Sequence, residues 1–145
     1  LCSFLALALL SACATAPVTT PVTLTLMAAP DVNPDAHGRA SPVAVRFYAL
    51  KAPGRFESAD YFSLQDRDTE TLGADMALRK ELVLRPGDKQ DLQLELDADV
   101  GALGFIAGYR DLNHARWREV LPVTAGEPLV VTVIFEANGI VLQER

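Results

Sequence analysis

Beyond residue 21 the chain alternates between hydrophobic and polar positions with a period of two. Val22, Leu24, Leu26 and Ala28 alternate with Thr23, Thr25 and Met27, which puts the first set on the buried face of a strand. Val43, Val45, Phe47 and Ala49 repeat the pattern, with Arg46 between them. Leu82 and Leu84 lead into Pro86-Gly87-Asp88 and then into Leu92, Leu94 and Leu96, which alternate with Gln93 and Glu95. This arrangement predicts a hairpin whose tip carries the turn chemistry. Four more strands are predicted over Phe105, Ala107 and Tyr109; Trp117 to Leu121; Leu129, Val131, Val133 and Phe135; and Ile140 to Leu142. Asn138-Gly139 supplies a tight turn before the last of them. About eight short strands with Gly- and Pro-marked turns predict a mainly β chain folded as a sandwich, because two sheets laid face to face bury every alternate side chain.

The rhythm breaks between Phe56 and Ala77. Ser58 and Asp60 suit the start of a short helix through Tyr61, Phe62 and Leu64, and Asp68 suits the start of another through Leu72. A small helical insertion over about residues 56–76, packed on one sheet, is the expectation.

Residues Leu1 to Leu10 form an apolar run too short to span a bilayer and shaped like the hydrophobic region of a signal peptide. Leu10-Ser11-Ala12-Cys13 resembles the bacterial lipobox. Residues 1–12 therefore read as a truncated signal peptide cleaved before Cys13, whose thiol would carry the lipid. Residues 13–21 read as lipidated terminus and tether, since the Thr- and Pro-rich Ala14 to Pro21 cannot continue a helix and reaches at most ~28 Å. Residues 22–145 make the sandwich domain. Ala14 replaces the Asp that in typical Gram-negative lipoproteins directs retention in the inner membrane, so that resemblance implies the outer membrane, periplasmic face.

Removing the 12 residues ahead of Cys13 from the 145 leaves 133, the size of one domain. All 13 basic and 19 acidic residues lie after residue 30, and the net charge of −6 disfavours nucleic acid as a partner. Cys2 falls in the apolar run and Cys13 closes it, so the mature domain has no thiol pair.

Few residues suggest chemistry. Asp31, Asn33 and Asp35 resemble the opening of a calcium loop, but Ala36 stands where Gly is needed and Pro42 where a bidentate Glu belongs, so Asx and proline turn chemistry is the better reading. His37 and His114 are too isolated for a zinc site. Asp111 and His114, three apart, read as a turn leading to Trp117 rather than an acid–base pair. Glu57, Asp60, Asp66 and Asp68 read as solvated caps rather than a glycosidase pair, and no serine sits in a nucleophile elbow. Neither catalysis, a metal nor a small-molecule substrate is expected, and no cofactor beyond the covalent lipid. The unusual element is Ala29 to Pro42, long for a strand connection and of mixed charge through Asp31, Asp35 and Arg39. Loops of that length in a compact domain tend to bind something.

Several segments are familiar together. Asn33-Pro34-Asp35, Arg39-Ala40-Ser41-Pro42-Val43, and Val45-Arg46-Phe47-Tyr48-Ala49-Leu50-Lys51 resemble the outer-membrane lipoprotein of the type VI secretion system, the TssJ family. The likeness continues through Phe56, Asp60-Tyr61-Phe62-Ser63-Leu64, Leu72-Gly73-Ala74-Asp75, Arg85-Pro86-Gly87, Ala107-Gly108-Tyr109-Arg110-Asp111 and Ala115-Arg116-Trp117-Arg118. The resemblance implies a transthyretin-like sandwich of two four-stranded sheets with a small helical addition. It also implies a partner, the periplasmic C-terminal domain of the large inner-membrane subunit TssM, gripped by the loop between the first two strands. In this chain that loop offers Asp31, Val32, Asn33, Pro34, Asp35, Ala36, His37, Gly38, Arg39, Ala40 and Ser41. Two rival readings share the anchor: a generic periplasmic assembly or binding lipoprotein, pilotin-like or an adhesion module, and a lipid-anchored hydrolase with a concave polar site.

Overall fold

The computed structural model describes residues 13–145, so the expected signal peptide over residues 1–12 lies outside the described residues. Eight strands run in the described residues: β1 (Thr19–Ala28), β2 (Val43–Leu50), β3 (Met76–Leu84), β4 (Lys89–Asp97), β5 (Ala102–Ala107), β6 (Arg118–Pro122), β7 (Leu129–Phe135) and β8 (Ile140–Glu144). They form two four-stranded sheets, ordered β4-β1-β7-β8 and β3-β2-β5-β6. β1 pairs antiparallel with β4 and parallel with β7, whereas all pairs in the second sheet are antiparallel.

The alternation seen in the sequence is the inward face of the sandwich. Val22, Leu24, Leu26 and Ala28 of β1 pack with Val131, Val133 and Phe135 of β7 against Val43, Val45, Phe47 and Ala49 of β2 and Phe105 of β5. Burying each Val, Leu or Phe side chain among them contributes roughly 1.5–3 kcal/mol.

β1 starts earlier than the sequence suggested. Thr19, Thr20 and Pro21, assigned to the tether, pair with Asp97, Leu96 and Glu95 of β4. Thr20 is fully buried, and its hydroxyl oxygen accepts the Gly126 amide at 2.9 Å from the turn before β7. Pro21 is tolerated because the β7 ladder begins only at Val22, so the proline sits where β1 has a neighbour on one side.

The insertion comprises α1 (Gly54–Ser58) and α2 (Tyr61–Leu72), the latter kinked at Arg67 (φ −142°, ψ 42°). Asp60 caps α2, its carboxylate accepting the Ser63 amide at 2.9 Å. Ser58 does not start a helix; it ends α1, its hydroxyl donating back to the Arg55 carbonyl. The helices cover the outer face of the second sheet, which explains why all six residues of β5 are buried rather than alternating. A second apolar cluster forms there from Tyr48, Leu50, Phe56, Leu64, Leu72, Ala102 and Ile106.

Asp68, expected to be a solvated cap, is instead buried under the insertion. It accepts from Arg46 at 3.2 Å, Arg79 at 2.8 Å and the Tyr48 hydroxyl at 3.1 Å. Arg46 also pairs with Glu81 at 2.6 Å and donates to the Leu64 carbonyl at 2.9 Å. Burial works against the Arg46 charge, but its bonds to Tyr48 and Glu81 outweigh this and hold its pKa above the ordinary value. Burial pushes the Tyr48 phenol up to about 12, so it stays neutral in this network.

Candidate functional site

The long β1–β2 connection lies at one end of the sandwich, beside three other connections. At its start, the Ala28 amide donates to the Asp88 carbonyl of the β3–β4 turn, and the Ala29 amide to Phe135 at the end of β7. At its far side, Gly108 of the β5–β6 loop donates to Ala44 of β2. The loop is therefore supported by the ends of both sheets.

Its base is fixed by Val32 and Asn33. Val32 is fully buried, and its carbonyl accepts the Ser41 amide at 3.0 Å, closing the loop across its neck. Asn33 adopts a left-handed backbone (φ 50°), a conformation that asparagine accepts more readily than most residues. Its side chain is buried and used at both ends: the amide nitrogen donates to the Pro42 carbonyl at 2.8 Å and the oxygen accepts the Arg110 amide at 2.8 Å. Its own backbone amide donates to Ala137 in the β7–β8 turn.

The tip is organised by Asp35. One carboxylate oxygen accepts the amides of His37 at 2.8 Å and Arg39 at 3.0 Å, and the other accepts the Arg39 guanidinium at 2.9 Å. These backbone bonds hold the Asp35 carboxyl below the ordinary carboxylate value. Gly38, at φ 75°, makes the turn that returns the chain. Ala36, His37, Gly38, Arg39 and Ala40 remain exposed, as does Asp31. The result is a loop with a solvent-facing rim, its tip bonded within itself through Asp35 and its base bonded to neighbouring connections through Asn33. That is the form of preorganised loop that loses little entropy on binding.

The Asp31, Asn33 and Asp35 side chains do not converge as cation ligands, because the Asn33 amide is committed to Pro42 and Arg110 and Asp35 to its own loop. Two open concavities flank the loop. One of about 500 Å³ is bordered by Asp31, Arg116, Glu136 and Asn138, and one of about 510 Å³ by Asp35, Ala36, Arg110, Asp111 and Asn138. His114 lies in the same β5–β6 loop, and its hydrogen bond and charge contact with Asp111 at 2.8 Å raise its pKa above the ordinary value.

Arg110, Asp111, Arg116, Glu136 and Asn138 were not singled out with the loop from the sequence. Asp111 and Asn138 are legible there as turn residues, but only the folded chain brings them to within reach of Ala36 and Asp31. Cys13 is exposed and belongs to the segment that leads into the end of β1 away from the loop. Thr19 and Ala28, the first and last residues of the ten-residue β1, stand about 30 Å apart along the strand.

The family described as type VI secretion lipoprotein, VasD, EvfM, TssJ, matches residues 20–138. The crystal structure of the type VI lipoprotein TssJ1 from Pseudomonas aeruginosa is 40% identical, covering 88% of this chain and 97% of that one, with a TM-score of 0.86. A chain in a structure described as a type VI membrane complex is 28% identical over 85% of this chain and 97% of its own, with a TM-score of 0.72. A chain in a structure described as the TssM C-terminal domain from EAEC is 26% identical over 87% of this chain and 98% of its own, with a TM-score of 0.69. No curated protein sequence matches the chain.

Proposed function

The chain belongs to the type VI secretion lipoprotein family that includes TssJ, and from that premise we propose that it is a connector between the outer membrane and the inner-membrane part of the secretion complex. Cys13 carries the lipid that holds the domain on the periplasmic face of the outer membrane. The β1–β2 loop, residues 31–41, binds the periplasmic C-terminal domain of the large inner-membrane subunit TssM. No reaction is required of the protein.

One observation carries this reading. The anchor segment and the loop lie at opposite ends of β1, so a domain tethered through residue 13 presents the loop away from the lipid surface. With β1 starting at Thr19, the free tether is Ala14 to Val18, five residues that reach at most ~18 Å. Several acyl chains, each methylene worth ~0.8 kcal/mol on burial, would hold such a protein permanently. The stiff, exposed tip supplies the recognition surface. The two similar chains found in structures of a type VI membrane complex and of a TssM C-terminal domain support the choice of partner.

The test is calorimetric titration of the unlipidated domain with the TssM periplasmic C-terminal domain from the same bacterium, beside a variant in which Asn33 to Arg39 are replaced by a Gly-Ser linker. Binding that disappears in the folded variant supports the reading. Binding that survives the replacement moves the interface elsewhere on the sandwich, and no binding by the intact domain overturns it.

A further inference from the structure

The strand that begins next to the proposed anchor is the strand that runs into the proposed partner loop. No other element intervenes: the backbone passes from Cys13 through Val18, along β1 to Ala28, and directly into Ala29 to Pro42. β1 is also interior to its sheet, registered with β4 over nine residue pairs and with β7 over seven.

From this we propose a mechanical function that rests on the connector reading: β1 is the tension member of the protein, carrying pull between membrane and partner along one covalent strand. A β-strand rises about 3.3 Å per residue, against a limit near 3.6 Å for a fully drawn chain. Ten residues of β1 could lengthen by only about 3 Å before the backbone itself is taut. Force applied between its ends therefore does little work on unfolding, and neither the core nor any ladder lies in series with the load.

The ladders on both sides keep the strand straight and the loop aimed. The bond from the Gly126 amide to the buried Thr20 hydroxyl fixes where the compliant tether ends and the stiff strand begins. At the far end, the Val32 amide on the Ala29 carbonyl and the Asn33 amide on the Ala137 carbonyl take up slack in the first arm of the loop. Attachment at another connection of the same end would behave differently. A load carried by the β7–β8 turn would have to cross the seven β1–β7 pairs in shear before reaching the anchor.

That contrast is the test, and it needs neither lipid nor partner. The unlipidated chain, with Cys2→Ala, is held by the natural Cys13 and by a second thiol introduced as Ala36→Cys or Asn138→Cys. Ala36 and Asn138 are both exposed and border the same concavity, so the pulling directions nearly coincide while the load paths differ. Circular dichroism confirms that both variants are folded. At a constant force that unfolds the Asn138→Cys molecules within seconds, releasing roughly 400 Å of chain, the Ala36→Cys molecules are expected to stay folded at least tenfold longer. Lifetimes under force report the unfolding rate directly. Equal lifetimes in the two geometries would overturn the proposal whatever binding shows. A failed titration with the TssM domain would overturn the connector reading separately, on a different measurement.

Discussion

The side-chain oxygen of Asn33 accepts the backbone amide of Arg110 at 2.8 Å, across 77 positions of sequence, and so ties the β1–β2 loop to the β5–β6 loop. The same side chain donates to Pro42, so one residue joins both arms of its own loop to a neighbour. Asn33→Ala removes both bonds, leaves the Arg110 amide and the Pro42 carbonyl without their partner, and forces a Cβ without local hydrogen bonding into a left-handed backbone. The expected loss is about 2–4 kcal/mol in urea unfolding. Asn33→Gly should recover about 1 kcal/mol of it, because glycine accepts the backbone conformation but not the bonds. A loss below 0.5 kcal/mol for the alanine variant, on the order of a surface substitution, would show that the loop does not depend on this residue.

Loop order should depend on acid through Asp35. Its carboxyl lies below the ordinary value of 3.8 when folded, so its contribution is complete above the unfolded-state pKa and is lost as pH falls through the lower folded value. The His37 and Arg39 amides that bond to it should stay protected in hydrogen exchange from neutral pH down to about 4, and lose protection below. Asp35→Asn should weaken that protection at neutral pH and flatten its pH dependence. Unchanged protection in Asp35→Asn would count against the assigned role.

Arg46 is 4% exposed and holds α2 to the sheet through Asp68 and Leu64, with Tyr48 of its own strand and Glu81 of β3 completing its partners. Arg46→Ala leaves part of that buried charge without a partner and should cost about 3–5 kcal/mol. Arg46→Lys keeps the charge but not the fork of donors, and should fall between the two. Because the network lies on the sheet's outer face, below the insertion, the affinity of the folded fraction for the TssM domain should not change. A drop in that affinity at full folding would place the insertion in the interface.

Gly104 permits the insertion to sit close on β5. A Cβ built there would stand 2.8 Å from Phe56 ring atoms and 3.0 Å from Leu50. Gly104→Ala should cost about 1–3 kcal/mol in thermal or denaturant unfolding through overpacking. Pairing it with Phe56→Leu should recover part of that loss, a non-additivity that neighbouring sites show and distant ones do not. Strict additivity would mean that α1 simply moves away.

Thr20 fastens the start of β1 to the turn before β7. Thr20→Val keeps the volume but leaves the Gly126 amide without its acceptor, with an expected cost of about 1–3 kcal/mol. Proteolysis of the segment before β1 should then extend past Val18 into Thr19 to Pro21, readable by mass spectrometry. Cleavage confined to the same sites as in the unaltered chain would show that the lock is dispensable.

The strands were largely legible in the amino-acid sequence because burial on one face of a sheet enforces alternation: β1, β4 and β7 show it over at least three inward residues, whereas β2 is buried on both faces from Val45 onward. The β3–β4 turn was legible for the same reason that it forms, since Pro86, Gly87 and Asp88 suit a reversal, and Asp88 caps it by accepting the Arg85 amide. Asp60 was readable as a cap because capping is a local bond. β5 was less legible, since a strand covered by a core on one side and helices on the other has no alternation to show.

Short-range physics controls the eight strands of the described residues, the helical interruption, the turn positions and a connection too long to be a simple turn, and all of these were readable along the chain. Which distant groups meet depends on how the elements pack. Asp68 became a buried partner of Arg46, 22 positions away, because α2 folds back onto β2. Asn33 found Arg110, and Ala36 came to border the same hollow as Asn138, because four connections gather at one end of the sandwich. That the segment before β1 and the loop after it lie at opposite ends of one strand was readable along the chain, whereas the gathering of three other connections beside the loop is a product of sheet topology, since hydrophobic periodicity specifies which face a residue takes but not which end of the molecule it reaches.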